Sequence, residues 1–210
     1  IFSVAGNLNV KNGSFILSKQ GNSIVTLNVG GNIDVSGGVL QTTTLVNGVT
    51  AAINVTNDFI VETEGIFDVS GYSSNASTGF STINIGRDLL ISTTNPTAGI
   101  RGFIPTAAES FTLNITRDFT ISGGAKFINA SAVYNTKNYL IKLGGNFNLS
   151  GAGSSFVFGN TGATAVNGTF SFSGAATGFS GGRTNATFTV GAGATFTPFT
   201  APNGFAFDVS

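Results

Sequence analysis

The chain has 210 residues, of which 41% are hydrophobic, so it carries enough apolar material for one large or two small folded domains, and a disordered chain is excluded. Nine basic residues balance nine acidic residues, and this formal net charge of zero provides no attraction to nucleic acid or to an anionic membrane. Cysteine and histidine are absent, which excludes disulfides, zinc–sulfur sites and histidine-dependent catalytic triads.

A nine-residue pattern recurs along the chain. It begins at an apolar residue, which we number position 0, and places further apolar residues at positions 2, 6 and 8. In the second copy, "LNVGGNIDV", these are Leu27, Val29, Ile33 and Val35. A spacing of two residues is typical of β-strands, whose alternate side chains share one face. The copies start about 28 residues apart on average, at Phe2, Leu27, Ile53, Ile83, Leu113, Ile141 and, more loosely, Phe170.

Position 4 of the repeat predicts a bend. In one straight strand this position would face the core between positions 2 and 6, yet two copies hold arginine there, which is rarely buried. Each copy is therefore predicted to form two short strands that meet at a corner. The residues at position 4 are Gly6, Gly31, Asn57, Arg87, Arg117 and Gly145.

Repeats of roughly 20–50 residues are typical of solenoids, in which each coil stacks on the next. We predict an all-β fold, a right-handed parallel β-helix (β-solenoid) of about seven coils averaging about 28 residues. The variable half of each coil is predicted to hold a third wall and its loops. Residues 1–170 are predicted to form regular coils. Residues 171–210, rich in Gly, Ala and Phe, are predicted to form a looser continuation, in which Phe170 and Phe188 lie only 18 residues apart.

Position 5 is Asn or Asp in six successive copies. These residues tolerate the left-handed backbone conformation, bond to nearby backbone and can bond from coil to coil, so we interpret the column as a structural ladder. Three stacked aspartates raise calcium as an alternative, although Arg87 and Arg117 could balance their charge; we predict neither a metal nor another cofactor. The ladder residues are Asn7, Asn32, Asp58, Asp88, Asp118 and Asn146.

Position 1 is predicted to lie on the outer face as a solvated strip that prevents sheet-to-sheet aggregation. An ice- or mineral-binding face would instead need a flat column of Thr, and we do not expect Thr to recur at any one position. The residues at position 1 are Ser3, Asn28, Asn54, Asn84, Asn114 and Lys142.

One cluster of carboxylates, Asp58, Glu62, Glu64 and Asp68, raises the alternative of an enzyme that cleaves polysaccharides with paired acids. Glu62 and Glu64 are two residues apart and are predicted to share an outward strand face. We interpret the cluster as a solvated acidic wall and predict no catalytic residues.

The segments 70–82 and 93–111 depart most from the repeat, and insertions in solenoids often form binding loops. We take Tyr72, Arg101 and Phe103 as the candidate binding residues of these loops.

The copies "VAGNLNV", "VGGNIDVSGG", "LGGNFNLSGAG" and "NGTFSFSG" resemble repeats of large secreted β-helix proteins and adhesins of Bacteroidota, many of them similar to type IX secretion substrates. Filamentous-haemagglutinin-like proteins are a more distant likeness. The resemblance covers residues 2–172 and implies export to the cell surface, with roles in adhesion, gliding or filament structure. The sorting domain expected of such substrates does not occur in these 210 residues, and we expect the chain to be part of a longer protein.

We therefore expect a structural or adhesive module of a secreted or cell-surface protein, without catalysis. The alternative is a glycan-binding or polysaccharide-degrading module. The expected partners are neighbouring repeats of the same longer chain and glycans or other cell-surface components. Neither nucleic-acid binding nor membrane insertion is expected, because no apolar run reaches the roughly 18 residues of a membrane helix.

Overall fold

A computed structural model describes residues 1–43, 49–68, 80–92, 102–104, 110–128, 138–152, 154–157, 167–172, 188–190, 195–197 and 205–209. Within these ranges the chain forms short strands and turns and contains no helix. A helix that is long and apolar enough to span a membrane is accordingly not found in this part of the chain.

The strands are three to six residues long and follow one another at short intervals. They are β1 (Phe2–Val4), β2 (Leu8–Val10), β3 (Ser14–Ser18), β4 (Ile24–Val29), β5 (Ile33–Val35), β6 (Val39–Thr43), β7 (Thr50–Val55), β8 (Phe59–Val61), β9 (Ile66–Asp68), β10 (Phe80–Ile85), β11 (Leu89–Ser92), β12 (Gly102–Ile104), β13 (Ser110–Ile115), β14 (Phe119–Ser122), β15 (Lys126–Ile128), β16 (Asn138–Leu143), β17 (Phe147–Leu149), β18 (Ser155–Val157), β19 (Asn167–Phe172), β20 (Phe188–Val190), β21 (Thr195–Thr197) and β22 (Phe205–Val209).

Every third strand along the chain joins the same parallel sheet, so a coil contributes one strand to each of three walls. The first wall contains the strands that open each nine-residue repeat, the second wall contains those that close it, and the third wall is built from the variable half of the coil. The strand orders are β1-β4-β7-β10-β13-β16-β19-β22 in the first wall, β2-β5-β8-β11-β14-β17-β20 in the second and β3-β6-β9-β12-β15-β18-β21 in the third.

The register stacks equivalent positions of the repeat directly on one another. Ile53 lies opposite Leu27 on one side and opposite Ile83 on the other, and Leu89 at position 6 lies opposite Phe119. The predicted parallel β-solenoid is therefore confirmed, while its right-handed sense and the count of about seven coils stay predictions. About four turns, spaced about 28 residues apart, are defined by the stacked position 0 residues Leu27, Ile53, Ile83, Leu113 and Ile141.

The predicted corner also exists, because the first-wall strand ends at position 2 and the second-wall strand begins at position 6. In the third copy, for example, β7 ends at Val55 and β8 begins at Phe59. The chain therefore changes direction at positions 3 to 5, which is where the repeat places glycine, arginine and the Asn or Asp column.

The interior is filled by the apolar positions of the repeat together with phenylalanines of the third wall. Phe119 is fully buried, and its ring centroid lies 5.3 Å from that of Phe147, 5.7 Å from that of Phe127 and 6.2 Å from that of Phe156. All three walls thus contribute to one continuous apolar core, which also contains Phe67.

The short spacing between Phe170 and Phe188 does not mark a narrow coil. Phe188 lies in β20 of the second wall, opposite Phe147, whereas the residue opposite Phe170 in the first wall is Phe207. The described strands beyond residue 170 join the same three walls, and the division of the chain at this residue stays a prediction.

Candidate functional site

The outer face of the first wall carries a ladder of asparagine side chains at position 1. The Nδ2 group of Asn54 donates to Oδ1 of Asn28 over 2.8 Å, that of Asn84 donates to Asn54 over 2.7 Å, and that of Asn114 donates to Asn84 over 2.7 Å. All four side chains are partly buried. The column lies outward as predicted, but its amides are joined from coil to coil instead of forming a simple solvated strip. We call it the asparagine ladder.

At the corner, three successive backbone N–H groups point toward the preceding coil, whereas a regular strand would alternate between its two neighbours. In the fourth copy, the Gly86 N–H donates to the Val55 carbonyl over 2.9 Å and the Arg87 N–H donates to the Asn57 carbonyl over 3.1 Å. The Asn57 carbonyl would ordinarily accept the next N–H, that of Asp88. In the structure the Arg87 N–H bonds to this carbonyl, and the Asp88 N–H donates to a different acceptor.

The side chain at position 5 supplies this acceptor. Oδ1 of Asp58 accepts the Asp88 N–H at 3.2 Å, and Oδ1 of Asp88 accepts the Asp118 N–H at 2.9 Å. Asn and Asp suit the position because each has a short side chain that ends in an acceptor oxygen. The structure thus brings all six predicted residues into one column, the corner ladder, in which each residue accepts the N–H of the next: Asn7, Asn32, Asp58, Asp88, Asp118 and Asn146.

The backbone conformation of the corner ladder differs from the sequence-based interpretation. Among the described residues, the non-glycine positions with positive φ are Asn22 and Thr63, and neither belongs to the ladder. The explanation from left-handed backbone is therefore wrong. The hydrogen bond from one coil to the next accounts for the recurrence of Asn and Asp instead.

The arginines at position 4 pair with aspartates of the preceding coil and not with the aspartates that follow them in sequence. Nε of Arg87 lies 3.5 Å from Oδ1 of Asp58, and Nε of Arg117 lies 3.6 Å from Oδ1 of Asp88. The two aspartate side chains are only 19% and 20% exposed, so the arginines offset carboxylate charge that is largely withdrawn from water. In the described ranges, no group of three or more His, Cys, Asp or Glu residues could hold a metal ion.

Gly145→Ala is expected to lower the free energy of unfolding by about 1–3 kcal/mol. A Cβ atom at this position would lie 2.5 Å from Oδ1 of Asp118 and would contact the backbone of Arg117, so the corner ladder would have to shift. Gly6→Ala is the matched control, because it changes the same repeat position where a Cβ atom meets nothing within 4 Å. Urea unfolding followed by far-UV circular dichroism measures both variants. Equal losses at the two glycines would contradict close packing against the ladder.

A groove of about 720 Å³, lined by both polar and apolar residues, runs along the coils beside the asparagine ladder. The ladder forms one side, and the small residues at position 3, among them Thr56, Gly86 and Thr116, form the other. Among the described residues that line the groove there is no carboxylate and one charged side chain, Lys142. Sequence reasoning missed this groove, although the signal is visible as Asn at position 1 followed by a small residue at position 3.

The four clustered carboxylates do not form the predicted acidic strand face. Strand β8 ends at Val61 and the chain turns at Thr63, whose φ is 57°, so Glu62 and Glu64 lie in a turn and not on alternate positions of a strand. Asp68 lies in the third wall, where its Oδ2 accepts a hydrogen bond from Nε2 of Gln41 at 3.2 Å. With Asp58 in the corner ladder, the four residues are spread over three parts of the coil.

The candidate binding loops are only partly described. Tyr72 and Arg101 lie outside the described residues. Phe103 lies in strand β12 of the third wall, opposite Phe67 and Phe127, and not in a loop as predicted. The physical reason is that the third wall requires one strand from this coil, so a strand divides the segment 93–111.

Threonine does recur at one outward position, contrary to expectation. The residue before position 0 is threonine in four of the described first-wall strands, at Thr26, Thr82, Thr112 and Thr169, and Thr82 lies directly opposite Thr112. Ala52 interrupts the column between Thr26 and Thr82. The outer face of the first wall therefore combines a broken threonine column with an unbroken asparagine ladder.

The candidate site consists of the asparagine ladder and the groove that runs beside it. Its described lining offers amides, hydroxyls and backbone groups, which recognise a ligand by hydrogen bonding. No protein-family model, curated protein or solved structure matches this chain.

Proposed function

We propose that this chain is a structural and adhesive module of a secreted or cell-surface protein and performs no catalysis. In this proposal the solenoid is right-handed, extends through about seven coils and is continued by neighbouring repeats of a longer chain. Its membership of the large secreted β-helix proteins of Bacteroidota, including export by type IX secretion, belongs to the same proposal and rests on the repeat resemblance.

One observation carries the proposal, namely that successive coils are joined by two side-chain ladders in addition to the sheets. The asparagine ladder connects four coils, and the corner ladder connects six. Side-chain ladders of this kind, together with parallel sheets, tie each coil to its neighbours along the whole axis. Such continuous connection is suited to a rod that spaces or anchors other parts of a surface protein.

Antibody labelling of the producing cells tests the location. An antibody raised against the 210-residue chain is expected to label intact cells as strongly as permeabilised cells, and deletion of the segment is expected to reduce attachment of the cells to a solid surface. Labelling that appears only after permeabilisation would contradict the proposal.

Glycan binding is the second candidate function, and the groove beside the asparagine ladder favours it. Ligand sites commonly occupy concave surfaces of roughly 300–1,000 Å³, and the groove falls in this range. The part of its lining that the structure describes carries amide and hydroxyl groups and no carboxylate, which favours binding without cleavage. Polysaccharides incubated with the protein are therefore expected to yield no new reducing ends.

A further inference from the structure

We propose that the groove binds an extended, uncharged polysaccharide laid along the solenoid axis, with the asparagine ladder as its recognition surface. This inference rests on the second candidate function, glycan binding, and specifies its ligand class and its residues.

Two amides of the asparagine ladder, those of Asn54 and Asn84, leave hydrogen-bonding capacity unused. An Asn side chain has two N–H donors and one carbonyl oxygen with two lone pairs. In Asn54, one N–H donates to Asn28 and one lone pair accepts from Asn84, and Asn84 is bonded in the same way to Asn54 and Asn114. Each of these two amides therefore keeps one donor and one acceptor for a ligand in the groove.

The spacing of these groups favours a polymer over a compact ligand. Equivalent residues of successive coils lie roughly 4.8 Å apart, so the lining residues from Asn28 to Lys142 extend over roughly 19 Å. A compact ligand would contact one or two coils and leave the rest unused. A chain of sugar units presents hydroxyls at regular intervals, and each hydroxyl can both donate and accept, which matches the paired donor and acceptor of each amide.

The low charge of the groove favours an uncharged polysaccharide. The described lining contains a single cationic residue, Lys142, at one end, whereas recognition of a polyanion requires several cations along its length. The opposite side contributes the exposed Thr56 and the hydroxyl of Thr116, whose Oγ1 already donates to the Ile85 carbonyl over 3.0 Å. The described lining thus offers amides and hydroxyls and is nearly neutral over its length.

Affinity electrophoresis of the 210-residue chain in gels that contain soluble polysaccharides tests the inference. The neutral probes are xylan, mannan and hydroxyethyl cellulose, and the anionic probes are alginate and polygalacturonate. At least one neutral probe is expected to retard the chain more strongly than either anionic probe. Retardation by the anionic probes alone, or by no probe, would overturn the inference. The surface-labelling result would not change in either case, so the two proposals fail separately.

Two substitutions locate the binding site. Thr56→Leu places an apolar side chain in the groove and is expected to weaken binding about tenfold, the loss that corresponds to one or two hydrogen bonds. Thr50→Leu is the matched control. Thr50 is exposed and lies at the start of β7, the strand that also provides Asn54, but Thr50 does not line the groove. Asn84→Ala, checked for folding by circular dichroism, removes one amide and is expected to weaken binding as well. If Thr56→Leu and folded Asn84→Ala were retarded as strongly as the unaltered chain, binding would lie elsewhere and the inference would be overturned. Equal losses of binding in Thr56→Leu and Thr50→Leu would overturn it as well.

Discussion

Phe119→Ala is expected to lower the free energy of unfolding by about 3–5 kcal/mol, the largest effect of any single substitution proposed for this chain. Phe119 is fully buried at position 6 of the second wall. Its ring lies against Phe147 in the following coil and against Phe127 and Phe156 of the third wall. Alanine would leave a cavity at the point where the core side chains of two walls meet.

Phe119→Leu provides the control, because leucine occupies the same position in the preceding coil at Leu89. We expect this variant to lose about 1.5 kcal/mol or less, since it retains most of the apolar volume. Urea unfolding followed by far-UV circular dichroism compares both variants with the unaltered chain. A loss below about 1 kcal/mol for Phe119→Ala would show that the second and third walls do not share a tightly packed core.

The repeat predicted the first two walls of the solenoid because the alternation of core and surface residues in their strands is visible within each nine-residue copy. Position 0 must stack on position 0, and the register places Leu113 between Ile83 and Ile141. The corner was predictable because Arg87 and Arg117 stand where a straight strand would require a core residue. These predictions depend on alternation and spacing within nine residues.

The third wall was harder to locate because the segments that lead to it differ in length from coil to coil. Phe67 and Phe103 are opposite each other in adjacent strands, yet they lie at different distances from the start of their own copies. A fixed spacing therefore could not identify them. Phe103 was assigned to a binding loop for this reason, although the register places it in the same wall as the buried Phe67 and Phe127.

A second limit of prediction from the sequence concerns the hydrogen bonds between coils, as the two ladders show. The recurrence of Asn at position 1 was visible, but whether stacked amides bond to one another depends on the register of the coils. The corner ladder depends on three successive N–H groups that turn the same way, a feature of backbone geometry and not of composition. The groove lies beside the asparagine ladder, and it was not predicted because its lining comes from successive coils whose register was unknown.

Asp88→Ala is expected to lower the free energy of unfolding by about 1–3 kcal/mol, because it removes the acceptor of a backbone donor. Oδ1 of Asp88 accepts the Asp118 N–H at 2.9 Å, and the Arg87 carbonyl, which a regular strand would offer to this donor, already accepts the Arg117 N–H. The ion pair with Arg117 is lost as well, but the arginine side chain is 37% exposed, so this loss contributes at most about 1 kcal/mol.

Asp88→Asn separates the two contributions, because it keeps the acceptor oxygen and removes the charge. Asparagine occurs naturally at the same repeat position at Asn32 and Asn146, and Asn32 already accepts the N–H of the next coil at 3.2 Å. We therefore expect the asparagine variant to lose less than about 1 kcal/mol, as measured by urea unfolding under the same conditions as the alanine variant. If both variants lost the same free energy, the ion pair would be the main contribution of Asp88, and the hydrogen bond from coil to coil would not explain why Asn and Asp recur at the corner.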